Sequence, residues 1–558
     1  MASNLGSVPR ATGLLGIGLA VSLVGMVSCS APKDIAEIKY ECETSPEPSP
    51  SAGDGAVCGA GDPDLEGMEP RLPTDAEVCA TLTATRFATD MSPPSEENED
   101  TKAINDALTA CRGKGAVRLV PTATNNAFLA AHLSVAGVTL WIDAGVTLYA
   151  SRDPVKYHRN DTCGMLGVND SQACTDFITM SGASPAIMGD GVIDGQGGEP
   201  LVGHDYSWWQ MSYALREVDG SIGNPTLINT TSGTTGLTLY KITLHNSPKF
   251  HVKLTSKLVP PATCERRGQG FTVWGVTVLT PSKWTNSQGL VLTPSFARNT
   301  DGIDPGTTND AECGLMVCNT ISTGDDHIAI KGGHGVRDLL IAHNHFGTGH
   351  GMSIGSETYG AGISNIEIRD LTIDADSRPV GAEAQGGDFN GIRVKSDASR
   401  GGVVENITFK DVCMRDMNNS ILISTAYNPL FAGVNYPQFG AMHFENVHHV
   451  TCMGLREPVV SLNGYNAALP AGPLSFDNVV VDNLGPQSVS AQFSSLVLGP
   501  GQVNFGDTVK SLSAHPTAVR GGLGVSVTDN RDPAQPGSAK KCVFPTLPAP
   551  HPPAGWTW

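Results

Sequence analysis

From Val138 onward the chain is a succession of short strand signals with no amphipathic helix of ordinary length between them. VTLWI, VTLYA, LTLYKITL, FHVKL, FTVWGVTVL, HIAIK, LLIAH, IEIRDLTI, ENITFKDV and NVVVDN are each rich in Val, Ile, Thr or aromatics. Each is bounded by Gly, Asn, Asp or Pro, as strands are. Such a series argues against alternating β–α units and for an all-β fold. An approximate repeat runs through it: Ser364-Asn365-Ile366, Glu405-Asn406-Ile407, Glu445-Asn446-Val447 and Asp477-Asn478-Val479 each open a strand. Their asparagines lie 41, 40 and 32 residues apart. Recurrent Asn-plus-apolar units suggest stacked coils with Asn at the corners, and the uneven intervals fit coils with loops of variable length. The expected fold is a single-stranded right-handed parallel β-helix. A β-propeller is the runner-up, but its Gly-His and Trp-Asp blade signatures are missing.

One helix is expected, over Thr101–Cys111, with Asp100 or Thr101 as N-cap and Gly113 closing it. It would cap the solenoid. The 558 residues include 64 glycines and only 16% charged residues, a mix that favours strands and turns over salt-bridged helices. The net charge of −19 argues against nucleic acid as a partner. It does not exclude an anionic polymer, because a local basic cluster can serve a site on an acidic protein.

Before the strands, Arg10 and the apolar run Gly13–Val27 read as a signal peptide, too short for a membrane span. Val27-Ser28-Cys29 resembles the lipobox of bacterial lipoproteins, with Met26 where that motif usually has Leu. The expected organisation is a signal peptide over 1–28, a Pro/Ser/Gly-rich tether over 29–78 and a catalytic β-helix over 79–558. Export is expected either way, with Cys29 as the lipid anchor of a surface protein or with plain secretion. Any contact with a membrane would run through that anchor alone. Setting Cys29 aside leaves 12 of the 13 cysteines, and Cys163/Cys174 and Cys313/Cys318 are local disulfide candidates.

The chemistry gathers around GDDHIAIK, Gly324–Lys331. Asp301, Asp325 and His350 are spaced by 24 and 25 residues, about one coil, so they are expected at matching positions on successive coils. Coils stack about 4.8 Å apart, which would bring Asp301 and the Asp325/Asp326 pair within roughly 5–10 Å of one another. That range brackets the carboxyl separation of an inverting glycosidase, whose acid and base leave room for a water. Alternation would send Asp325 and Asp326 to opposite faces, so a bend is expected there, with Gly324 as the permissive residue. Ile328 and Ile330 are expected inward and Lys331 outward.

Asn299-Thr300-Asp301, Gly324-Asp325-Asp326, Gly349-His350-Gly351 and Arg393-Val394-Lys395 resemble the four signature motifs of the polygalacturonases, glycoside hydrolase family 28. The departure is Val394, where the family usually has Ile. GDGVIDGQG, the Trp208-Trp209 pair and NSPKFHVKL are also family-like, and the resemblance runs from about Thr101 to at least Val481. It implies a pectin-lyase-like parallel β-helix that hydrolyses α-1,4-linked galacturonate with inversion, as a monomer without a cofactor. By the same resemblance Asp325 is the general acid, Asp301 and Asp326 activate the water, and His350 supports the acid's protonation. Asn299 belongs to the substrate-binding set, Arg393 and Lys395 clamp substrate carboxylates, and Tyr427 contacts substrate.

Other readings stay open. His343, His345 and His350 could hold a metal, and Asp301 with Asp304 could hold Ca²⁺, although a turn role suits Asp304 better. The double Trp could stack on sugar or pack inside. A Ca²⁺-dependent pectate lyase and a non-catalytic carbohydrate-binding β-helix are the competing functions. Endo and exo attack are not distinguished, and the insertion Asp161–Asp176 could close one end of a groove.

Overall fold

The computed structural model describes residues 58–548 and 550, apart from 90–91, 216–222, 260–261, 308–309, 376–388, 428–432, 453–456, 515–521 and 535–536. The signal peptide, Cys29 and the first part of the tether lie outside the described residues. The rest is a parallel β-helix. One face is an eleven-stranded sheet running from Leu133–Ala136 to Val489–Gln492. Every neighbouring pair in that sheet is parallel. A second, longer parallel sheet closes the other sides of the coils.

Register explains the core. Val252, Ile303, Ile328, Met352, Ile392 and Ile421 stand in one inward row, each fully buried. Phe409, Phe444 and Phe476 stack beneath the later coils with ring centroids 5.1 and 4.9 Å apart. Each such side chain contributes about 1.5–3 kcal/mol by leaving water. Identical positions on successive coils must carry apolar residues of similar size, which is why the strand signals recur.

The asparagines do mark corners, but two corners rather than one. Asn365 and Asn406 are bonded neighbours, at 2.8 Å, and Asn446 and Asn478 are another such pair, also at 2.8 Å. All four have positive φ, between 53° and 59°. Asn tolerates this left-handed conformation better than most residues, so the sequence repeat is a record of backbone geometry.

The helix α1 (Thr101–Cys111) buries Ile104, Leu108 and Cys111 against the first coil. Asp100 is its N-cap residue, the backbone carbonyl accepting the Ile104 N–H at 3.0 Å, but its side chain adds no cap, since the carboxylate accepts from the backbone N–H of Leu129 at 2.9 Å. Residues 58–78, expected to be tether, are docked on the long sheet. Cys58 is bonded to Cys318, Leu65 packs with Tyr240 and Trp274, and Asp62 lies 2.6 Å from Arg369.

Cys163 and Cys174 are paired as expected, whereas Cys313 and Cys318 are not. Cys313 lies within the extended strand Ala311–Val317 and Cys318 directly follows it, and five extended residues span about 17 Å, far beyond disulfide reach. Cys313 pairs instead with Cys264, and Cys79–Cys111 and Cys413–Cys542 complete the described bridges.

Candidate active site

Five strands of the eleven-stranded sheet build the site: β1 (Val252–Leu254), β2 (Ile303–Pro305), β3 (Ile328–Ile330), β4 (Met352–Ile354) and β5 (Asn390–Lys395). With Ile and Met facing inward, alternation turns Lys253, Asp304, Ala329, Ser353 and Arg393 outward in one row. Two residues before each inward anchor the chain bends, and there stand Asp301, Asp326 and His350. The residue in register with Asp301 is therefore Asp326, not Asp325: the Gly302 N–H donates to the Asp326 carbonyl at 2.9 Å. Coils of 25 and 24 residues, not 24 and 25, separate the anchors Ile303, Ile328 and Met352.

The bend expected at Gly324 exists, but glycine is needed there for space. Its φ is not left-handed, whereas an added Cβ would come within 2.2 Å of the Ala297 carbonyl oxygen. The Gly324 N–H donates to Thr300 Oγ1 at 3.0 Å, tying the Asp325/Asp326 bend to the segment carrying Asp301. Gly349 is confined likewise, with the buried His327 ring 2.6 Å from where its Cβ would stand.

The structure brings Asn299, Asp301, Asp325, Asp326, His350, Arg393, Lys395 and Tyr427 together. Asp325 Oδ1 lies 3.0 Å from His350 Nδ1, and its Oδ2 accepts the Asn299 backbone N–H at 3.1 Å. Asp326 accepts Ser353 Oγ (2.8 Å) and Arg393 Nη2 on one oxygen and Lys395 Nζ (2.9 Å) on the other. Tyr427 is 44% exposed, and its ring centroid lies 5.1 Å from the Lys395 ammonium.

These contacts divide the carboxylates. Burial and the neighbouring Asp304 and Asp325 push the Asp301 carboxyl well above the usual carboxylate range. Burial acts on Asp325 in the same sense, but the charge and hydrogen bond of His350 overcome it and hold Asp325 at about 2. Against the same burial, Arg393 and then Lys395 keep Asp326 far below the ordinary range. Three acids within two coils thus sit at different proton affinities, as a site that must hold one proton and accept another requires.

A model of the glycosyl hydrolases family 28 matches residues 144–495. The chain belongs to that family. It is 35% identical over 501 residues to a polygalacturonase of Ralstonia nicotianae, covering 82% of this chain and 89% of the relative. It is 35% identical to an endo-polygalacturonase of Pectobacterium parmentieri, covering 72% and 86%. The solved polygalacturonase of Erwinia carotovora ssp. carotovora superimposes with a TM-score of 0.57 at 29% identity, over 83% of this chain and 95% of that one.

Several residues of this family 28 site escape a reading of the motifs. Lys331 is outward as expected, but outward on this sheet is toward the carboxylates: its Nζ lies 3.8 Å from Asp301 and 3.4 Å from Glu357. Ser353 is found only through its register with Arg393. Asp304 is no turn residue. It lies within β2, fully buried, with both carboxylate oxygens lacking a hydrogen-bond partner, and burial pushes it up to about 7.

The histidine trio is dispersed: His343 contacts Asp62 at 2.9 Å, His345 contacts Thr372 at 2.9 Å, and of the three only His350 contacts Asp325. Asp325, Asp326 and His350 are close enough to enclose a cation, but Arg393 and Lys395 already neutralise Asp326. Trp208 and Trp209 are fully buried, so packing, not sugar stacking, is their role.

Proposed function

We propose that the chain is a polygalacturonase that hydrolyses α-1,4-galacturonosidic bonds of pectin with inversion of configuration. The observation that carries this reading is the placement of Asp301, Asp325 and Asp326 on adjacent coils of one sheet, beside the Arg393/Lys395 pair. Asp325, within reach of His350, delivers a proton to the leaving glycosidic oxygen. Asp326, ionised, deprotonates the attacking water, and Asp301, whose carboxyl holds its proton, helps to orient it. A substrate carboxylate draws Arg393 and Lys395 away from Asp326, and the uncovered charge then raises the proton affinity of Asp325 as the acid role requires. Tyr427 offers its exposed ring beside the clamp, and Asn299 fixes Asp325 through its N–H.

A calcium-dependent lyase would need a strong base and a bare carboxylate cage, whereas Asp326 is occupied by two cations. The five disulfides among the described residues support the proposal that the chain is exported; Cys29 as its lipid anchor is proposed from Val27-Ser28-Cys29 alone.

The test is incubation with de-esterified polygalacturonate, with and without a chelator, following reducing ends and ultraviolet absorbance together. Reducing ends without absorbance, indifferent to chelator, are expected. Absorbance that vanishes with chelator would establish a lyase, and the absence of both signals a binding protein.

A further inference from the structure

The turn that carries His350, from Gly347 to Gly351, is wound around one side chain. The His327 ring is fully buried, and an added Cβ on Gly349 would stand 2.6 Å from its Cε1 and 2.7 Å from its Nε2. Its two nitrogens hold the two ends of the turn. Nε2 lies 3.0 Å from the Gly347 carbonyl oxygen, and Nδ1 lies 3.0 Å from the Gly351 backbone nitrogen. A further bond ties the far end, since the His327 backbone N–H donates to the Gly351 carbonyl at 3.2 Å. Phe346, the residue before the turn, stacks on the ring with centroids 4.7 Å apart and planes inclined by 3°.

The partners fix the protonation of the ring. A carbonyl oxygen can only accept, so Nε2 carries the hydrogen; a backbone N–H can only donate, so Nδ1 is bare. An imidazolium, protonated on both nitrogens, would set one N–H against the Gly351 N–H and lose that end of the turn. The surroundings favour the same neutral ring. Burial, aided by the charge of His350, pulls His327 down to about 4, with the Gly347 carbonyl and the Asp326 carboxylate opposing it. His350 on the turn and Asp326 beside the ring in the chain are the titratable groups that bear on it, and Asp325 lies beyond His350. Phe346, Gly347 and Gly351 face the ring with an aromatic side chain and backbone groups.

The turn needs such a hold. Gly349 and Gly351 have φ of 152° and 82°, on the side of the map that glycine adopts freely, and they bring no side chain to fix the turn. Between them His350 has to keep its Nδ1 at 3.0 Å from the Asp325 carboxylate.

We propose that His327 is a positioning residue for the reaction: its neutral ring, by holding Gly347 and Gly351, sets His350 against Asp325. The inference rests on the polygalacturonase reading and deepens it. Having no exposed surface, His327 acts on the substrate only through His350. Protonation of Nδ1 in acid releases the Gly351 end of the turn, so the ring also gives the site a lower pH limit.

The experiment follows hydrolysis of de-esterified polygalacturonate by the full chain from about pH 3 to about pH 7, with circular dichroism recorded at each pH. The unaltered chain is expected to keep its fold and to lose kcat about tenfold per pH unit below about 4. His327→Asn places an amide oxygen where Nδ1 stands and does not titrate. It is expected to retain much of kcat near neutral pH, to leave KM unchanged and to remove the acid limb. His327→Phe keeps a ring on Phe346 and discards both bonds, so kcat is expected to fall about a hundredfold at unchanged KM. His327→Phe decides the matter where acid unfolds the chain, and the pH profile of His327→Asn decides it where His327→Phe does not fold. The same acid limb in His327→Asn as in the unaltered chain, or an unaltered kcat in His327→Phe, overturns the positioning role alone. No hydrolysis by the unaltered chain at any pH overturns the polygalacturonase reading with it.

Discussion

His350 grips Asp325 twice: Nδ1 lies 3.0 Å from the carboxylate, and the backbone N–H donates to the Asp325 carbonyl at 2.8 Å. The acid and its proton partner therefore move as one unit. Asp325→Asn keeps the shape and removes the transferable proton, so kcat is expected to fall by about 10²–10⁴-fold with substrate affinity retained. Near-normal kcat in steady-state assays would remove Asp325 from the acid role.

Asp326 is 2% exposed, and Arg393 and Lys395 occupy its two oxygens. Arg393→Ala leaves a buried charge with half its compensation, at an expected cost of about 3–5 kcal/mol in urea unfolding. Arg393→Lys restores the charge without the planar fork, so it should recover much of the stability while KM stays high. Equal KM for Arg393→Lys and the unaltered chain would show that the guanidinium is structural only.

Asp304 gives the pH dependence a sign. Its carboxyl rises from the ordinary 3.8 to about 7 on folding, chiefly through burial. Between those values the unfolded chain has lost this proton and the folded chain retains it, so stability falls as pH rises through the window. Asp304→Asn removes that penalty. The variant is expected to melt a few degrees above the unaltered chain at about pH 8 and to lose the advantage below about pH 4. A melting difference that does not change with pH would mean that Asp304 ionises in the folded state as it does in water.

The parts of this molecule legible in the sequence are those that repeat. Inward rows of Val, Ile and Phe follow from stacking, and Asn365, Asn406, Asn446 and Asn478 stand out because corners demand positive φ. What the sequence hides is register. A one-residue offset put Asp326, not Asp325, beside Asp301, and nothing in GDDHIAIK distinguishes the two. Lys331 reads as an outward lysine and Asp304 as a turn aspartate until the outward face proves to carry the cluster of carboxylates. Cys313 and Cys318 look like neighbours only because sequence distance ignores that an extended strand keeps its ends apart.

Gly324 joins local geometry to chemistry. A methyl group there would meet the carbonyl oxygens of Ala297 and Pro294 at 2.2 and 2.5 Å, and both are backbone atoms. Gly324→Ala must therefore push the Asp325/Asp326 bend away from the segment that carries Asn299 and Asp301. Overpacking of this kind costs about 1–3 kcal/mol, which a chain with this core can absorb without unfolding. Catalysis is less tolerant, because misplacing a reacting group by about 1 Å costs about 10²-fold. The variant is expected to keep its circular dichroism and most of its melting temperature while kcat falls about a hundredfold. Unchanged kcat would show that the bend slides as a unit with Asp301, and that the spacing of the three carboxylates survives the displacement.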